Sequence, residues 1–152
     1  MIDNNLNPAK VDIILCEDNA DDAELTIRAL STHGLSNSLI HVKDGEELLH
    51  YVFCSGPYVS RNAANQPRLI ILDLKMPKVD GLDVIRKLKS DKRSCMIPVV
   101  LLTSSKEEKD IMESYRLGVN SYIVKPVEFE LYIKAVSTIG LYWLILNQPY
   151  QS

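Results

Sequence analysis

Leu69-Ile70-Ile71-Leu72-Asp73-Leu74-Lys75-Met76-Pro77-Lys78-Val79-Asp80-Gly81 is the stretch that decides the fold. Its first four residues are apolar and mostly branched, and turn formers follow. That pattern reads as a short strand buried on both faces. A carboxylate placed where such a strand ends is held rigidly at the rim of a sheet. That rim is where open parallel α/β sheets bind their ligands. Working outward, Ile13-Ile14-Leu15-Cys16 runs into Glu17-Asp18, and Val99-Val100-Leu101-Leu102 runs into Thr103. Ser121-Tyr122-Ile123-Val124 runs into Lys125-Pro126. Three acids, one hydroxyl and one amine therefore collect along one edge.

The whole chain reads as a fivefold alternation of strand and helix. Strands are expected over about Val11 to Cys16, Asn37 to Val42, Leu69 to Asp73, Ile97 to Thr103 and Val119 to Val124. The first helix starts near Asn19 or Ala20, with Asp21 and Asp22 offsetting the dipole of its first turn. Gly34 is its expected stop. The second opens at Asp44, with Glu47 completing a capping box, and runs to about Cys54. The third covers about Leu82 to Ser90. The fourth begins after Ser105, with Glu108 as capping-box partner. The fifth runs from about Val127 to Leu146. Such alternation implies a parallel sheet with right-handed crossovers and helices on both faces, an α/β doubly wound fold. Residues 1–9 read as a flexible tail, 10–146 as one domain with an extended last helix, and 147–152 as a second tail. The polar connection from Gly56 to Arg68 is long enough to be functional or mobile.

The composition is that of an ordinary soluble domain: 152 residues, 46% hydrophobic and 24% charged. A net charge of −3 makes no electrostatic case for nucleic acid. Arg86, Lys87, Lys89, Lys92 and Arg93 form a basic cluster that reads as the solvated end of a helix. No secretory signal is seen at the N-terminus, and no apolar run approaches the ~20 residues of a membrane span. Three widely spaced cysteines, Cys16, Cys54 and Cys95, fit neither a disulfide framework nor a zinc site and suit a reducing cytoplasm. His33, His41 and His50 have no ligand-like spacing.

Glu17, Asp18 and Asp73 would repel one another if left bare, so such a cluster raises one carboxyl pKa or binds a cation. Oxygen-only ligands suit a hard ion such as Mg²⁺. Taken alone, Asp18 or Asn19 is explained as a helix cap. That reading weakens once Asp73, Thr103 and Lys125 share the rim. Lys125 supplies a point charge for a carboxylate or phosphoryl oxygen, and Thr103 a hydroxyl for the same oxygen. Together they describe an aspartate nucleophile for phosphoryl transfer.

With these motifs in this order, the chain resembles the receiver domain of two-component response regulators from about residue 10 to residue 140. The resemblance rests on Glu17-Asp18, Asp73 with Met76-Pro77 and Asp80-Gly81, Thr103-Ser104, and Tyr122 three before Lys125-Pro126. It implies a flavodoxin-like five-stranded sheet of order 2-1-3-4-5. It also implies phosphorylation of Asp73 by a histidine kinase or a phosphotransfer protein. Mg²⁺ would sit on Glu17, Asp18, Asp73 and the backbone carbonyl of Lys75, with Thr103 and Lys125 stabilising the phosphoryl group. Glu17 stands where many members carry Asp. The Lys75 side chain is a candidate shield of the phosphoryl group from water. The loop before the third strand and the ending Gly140-Leu141-Tyr142-Trp143 look like the small stand-alone regulators paired with bacterial phytochromes.

The resemblance also makes Thr103 and Tyr122 a switch pair; by itself Tyr122 is explained as a half-exposed strand aromatic. In the fifth helix, Phe129, Ile133, Val136, Gly140 and Trp143 form a stripe expected to pack on the core. The run Leu141 to Leu146 is apolar all round, so it encloses extra core or forms a partner surface. A homodimer using Leu141, Tyr142, Trp143 and Leu144 is the expectation. The leading function is a single-domain phosphoacceptor, not an enzyme, signalling through protein contacts. A phosphatase of the haloacid dehalogenase type needs an Asp two residues after its nucleophile, where this chain has Lys75. A phosphorylation-independent scaffold has no need of the intact acids, Thr103 and Lys125.

Overall fold

The computed structural model describes residues 11–36 and 38–149. The expected tail at 1–9, the Asn37 start of the second strand and residues 150–152 lie outside them. Five parallel strands form one sheet: β1 (Ile13–Cys16), β2 (Leu39–Val42), β3 (Leu69–Leu72), β4 (Val99–Thr103) and β5 (Ser121–Val124). Their order is β2-β1-β3-β4-β5, as expected. The helices are α1 (Ala20–Ser31), α2 (Gly45–Val52), α3 (Gly81–Ser90), α4 (Glu108–Leu117) and α5 (Phe129–Leu141), the last continued by a π-helical turn, Tyr142–Leu146.

The sheet divides the core into two layers, because successive strand residues point to opposite faces. Ile14, Cys16, Ile70, Leu72, Val99 and Leu101 meet α2 and α3 on one side. Ile13, Leu15, Leu69, Ile71, Val100 and Leu102 meet α1 and α5 on the other. The α1–α5 contact is sewn by a buried hydrogen bond between the Thr26 and Tyr132 hydroxyls at 3.0 Å. Gly140 lets the helices close: a Cβ there would stand 2.6 Å from Leu30.

The expected caps form at α1 and α2 and not at α4. The Asn19 side chain accepts from Asp22 N at the start of α1, and Asp44 from Glu47 N at the start of α2. At α4 no Ser105–Glu108 capping box forms. Glu107 is the cap without a side-chain bond; the Ser105 hydroxyl instead donates to buried Asp110 at 2.6 Å and accepts from Glu107 N at 3.4 Å. The long connection before β3 is packed. Tyr58 meets Tyr51 edge-on at 5.0 Å, Arg61 lies over the Tyr51 ring, and Gln66 donates to the Val52 carbonyl. In the basic cluster, Lys89 is turned inward onto the Cys95 and Ile97 carbonyls, so it is not solvated as expected.

The expected core stripe of α5 needs correction. Tyr132, Val136, Ile139, Gly140 and Leu144 are buried, whereas Phe129 is exposed. The stripe is set by where α5 meets α1, and Tyr132 is the residue that reaches Thr26. The π turn then rolls Leu144 into the core and leaves Leu141, Tyr142, Ile145 and Leu146 outside. The 18-residue run Phe129–Leu146 is, by length and composition alone, long and apolar enough to cross a membrane, which corrects the expectation on run length. Here its apolar stripe lies on α1 and the sheet, and its outer side carries Glu130 and Lys134.

Candidate functional site

The register of the sheet builds the site. Cys16 pairs with Leu72, so Glu17 and Asp73 leave neighbouring strands at the same level. Asp73 N donates to the Cys16 carbonyl at 3.2 Å, and Glu17 N to the Val42 carbonyl at 3.1 Å. Carboxylate oxygens of Glu17, Asp18 and Asp73 lie within 4.8 Å of one another, with Glu17 and Asp73 buried and Asp18 exposed. Gly81 lets the loop after β3 fold under itself, since a Cβ there would meet the Leu74 backbone at 2.7 Å.

Lys125 leaves the end of β5 and reaches into this cluster. Its Nζ stands 2.9 Å from Glu17 Oε1, 2.8 Å from Asp22 Oδ2 and 3.0 Å from Asp73 Oδ2. Asp22 is the residue the sequence reading missed. It counted as a dipole-offsetting acid of α1, and only the docking of the helix N-terminus over the rim reveals its second partner. One ammonium meets three carboxylates and Asp18 lies beside two of them, so the site carries surplus negative charge. The protonation equilibria reflect that surplus. Burial pushes the Glu17 carboxyl up to about 7, with Asp73 adding to the rise against the pull of Lys125. Burial would lower Lys125, but Asp22, Glu17 and Asp73 outweigh it and hold the amine protonated well above its usual range. Both groups grip their protons. An anionic, oxygen-lined pocket of this kind fits a hard divalent cation.

Thr103 is fully buried at the end of β4, and its hydroxyl accepts from Ser105 N at 3.3 Å. Lys125 N donates to the Thr103 carbonyl at 2.7 Å, tying the ends of β4 and β5 together. Tyr122 is half-buried against the α3-side core, and its hydroxyl donates to the Ser105 carbonyl at 3.0 Å. Lys75 N donates to Asp73 Oδ1 at 3.1 Å. The Lys75 side chain points to α4, 3.4 Å from Asp110 Oδ2, and not across Asp73 as a shield would. Of the four expected interface residues, Leu141 and Tyr142 are exposed, Trp143 is half-buried and Leu144 belongs to the core.

The model of the response regulator receiver domain matches residues 13–137. Response regulator Rcp1 of Synechocystis is 37% identical over 138 residues, 91% of this chain and 91% of that protein. Its Mn²⁺-bound crystal form superposes with a TM-score of 0.85 at 35% identity, over 93% of this chain and 99% of that one. The phosphorylated cyanobacterial phytochrome response regulator RcpA gives a TM-score of 0.85 at 37% identity over the same shares. The bacteriophytochrome response regulator RtBRR is 45% identical with a TM-score of 0.73, over 93% of this chain and 84% of that one.

Proposed function

The chain belongs to the response regulator receiver domain family, and on that premise we propose that Asp73 accepts a phosphoryl group from a histidine kinase or a phosphotransfer protein. The kinase partner proposed is a bacterial phytochrome, on the likeness to phytochrome response regulators along nearly the whole chain. The observation that carries the reading is Lys125 Nζ at 3.0 Å from the buried Asp73 carboxylate, beside Glu17 and Asp18.

In the proposed reaction an Asp73 carboxylate oxygen attacks the phosphorus of a phosphoimidazole. The P–N bond breaks, the imidazole nitrogen keeps the electron pair and takes up a proton, and an acyl phosphate remains. Catalysis here is positioning and charge neutralisation. Lys125 turns its ammonium from the carboxylates toward the phosphoryl oxygens, and the Thr103 hydroxyl donates to another. Glu17, Asp18, Asp73 and the Lys75 carbonyl are the proposed holders of Mg²⁺, which when bound would neutralise charge between the carboxylate and the phosphoryl group. The Mn²⁺-bound form of Rcp1 supports the binding of a divalent ion. The Thr103 movement would be passed to Tyr122 through Ser105, which contacts both.

The output proposed is a protein contact in the cytoplasm, with a homodimer through α4, β5 and α5. Exposed Leu141, Tyr142, Ile145 and Leu146 support it, because contiguous apolar surface marks interaction sites. Incubation with acetyl phosphate and Mg²⁺, followed by intact mass measurement, tests the phosphoacceptor reading. Wild type should gain one phosphoryl group, lost on chelation of the metal and absent in Asp73→Asn. Uptake that survives either change would refute it.

A further inference from the structure

Lys75 and Asp110 form an ion pair that nothing in the phosphoacceptor chemistry requires. Lys75 is tied by its backbone to Asp73 Oδ1, so its side chain starts beside the acceptor. That side chain is 58% exposed, whereas Asp110 is only 9% exposed. Asp110 is the fixed member: Ser105 Oγ donates to the same Oδ2 at 2.6 Å, and Asp110 N donates to the Glu107 carbonyl. Glu107 stands 4.0 Å from the amine and adds to the pull toward α4. The hydrogen bond from Ser105 and the charge of Lys75 hold the Asp110 carboxyl below the usual carboxylate range, so it stays an anion. Lys75 and Asp110 line a cleft of about 290 Å³ with Leu74, Met76, Asp80 and Leu82, which leaves the lysine room to swing.

We infer that Asp110 is a positioning residue that sets the lifetime of the phosphorylated state by holding the Lys75 ammonium on α4, away from the phosphoryl group. Hydrolysis of the acyl phosphate needs a water oxygen to attack phosphorus opposite the Asp73 oxygen. The P–O bond to Asp73 breaks, Asp73 regains its carboxylate, and the water's protons pass to phosphate and solvent. An ammonium lying over that face excludes the water. While Asp110 holds Lys75, the face stays open and turnover is fast. The inference rests on the phosphoacceptor reading.

The test loads the full chain with acetyl phosphate and Mg²⁺, removes the donor, and follows decay of the phosphorylated mass. Asp110→Asn keeps an acceptor for Ser105 and removes the charge. It should lengthen the half-life about two- to fivefold, the factor an ion pair of this exposure is worth. The effect should vanish in a Lys75→Gln background, which a merely structural role of Asp110 would not produce. Lys75→Gln alone, which keeps the backbone carbonyl proposed for Mg²⁺, supplies the reference half-life against which the double variant is read. An unchanged half-life in Asp110→Asn overturns the inference, as does slowing that persists without Lys75. Should Asp110→Asn fail to fold, Lys75→Gln decides: decay accelerated beyond about fivefold shows that Lys75 already shields the group. A wild type that takes up no phosphate overturns the phosphoacceptor reading and this inference together; normal loading with the wrong decay pattern overturns only the latter.

Discussion

Replacing Lys125 by methionine removes an ammonium from a pocket built of carboxylates. The stem is kept and the charge is lost. Its side chain is 10% exposed, against 3% for Glu17, 7% for Asp73 and 32% for Asp22. Breaking a buried pair by removing one partner costs about 3–5 kcal/mol. Asp22 is partly hydrated and contributes less, and Glu17 can relieve the strain by holding its proton. The lower end, about 3 kcal/mol, is therefore the expected loss in chelator at pH 7.5. For a domain of this length that is about 6–12 °C in Tm. Mg²⁺ should raise the midpoint of Lys125→Met more than that of wild type, since the ion then supplies the missing positive charge. Phosphate uptake should fall more than metal affinity does, because in the proposed reaction the amine would serve the phosphoryl group and only compete with the ion. Thermal melts with and without Mg²⁺, and metal titration by Trp143 fluorescence, measure both. A variant as stable as wild type in chelator, or one stabilised less than wild type by Mg²⁺, refutes the reasoning.

Glu17 gives a pH signature of defined sign. Its folded carboxyl titrates near 7 against an ordinary 4.5, so the native state holds a proton that the unfolded chain releases. Its contribution is full below 4.5 and is lost as pH rises through 7. Metal-free wild type should therefore lose stability relative to Glu17→Gln across that window in urea titrations; a constant difference contradicts the assignment. Gly81→Ala should destabilise by about 2 kcal/mol or more, because the backbone of Leu74 cannot move aside; a melt within 2 °C of wild type, under about 1 kcal/mol, argues against that close approach. Asp22→Ala should speed uptake from acetyl phosphate about two- to fivefold by releasing one donor of Lys125; equal or slower uptake counts against it. Tyr142→Glu with Ile145→Glu should yield a folded monomer by sedimentation where wild type dimerises. A wild type that is monomeric with and without phosphate sinks the dimer.

What the sequence made legible was whatever short-range pattern dictates. Four apolar runs ending in Glu17, Asp73, Thr103 and Lys125 named the strands and the rim residues, because strand burial and strand ends are written locally. Asp22 and Asp110 were not legible. Each lies in the first turn of a helix, where an acid is already explained by the dipole, and only tertiary docking gives it a second partner. The same holds for α5. Its periodicity allows two neighbouring stripes, and the Thr26–Tyr132 contact decides between them. The π turn shifts the stripe once more, so Leu144 faces the core although the local pattern assigns it outward. Ser105 misled in the opposite way. It has a cap's chemistry and position, yet its hydroxyl donates to Asp110 and its oxygen accepts from Glu107 N, so no box with Glu108 forms.

These tertiary partners bear on how phosphorylation would be felt beyond the rim. An ammonium has three donors, and Lys125 has all three directed at carboxylates of Glu17, Asp22 and Asp73. A phosphoryl group on Asp73 asks for one of them. Glu17 is buried and has no water to turn to, and Asp73 carries the group itself. Asp22 is the most exposed of the three, and its charge is favoured at the N-terminus of α1 without the lysine. Releasing Asp22 is therefore the least costly move. It would loosen the start of α1, the helix that Tyr132 and Gly140 bind to α5. On the opposite side of the site, Lys75 joins the β3 end to α4 through Asp110. Added negative charge on Asp73 thus pulls at two lysines at once, one restraining α1 and the other α4. A phosphoryl group at that one carboxylate would reach both helical layers, because the charge to be neutralised is already shared between them.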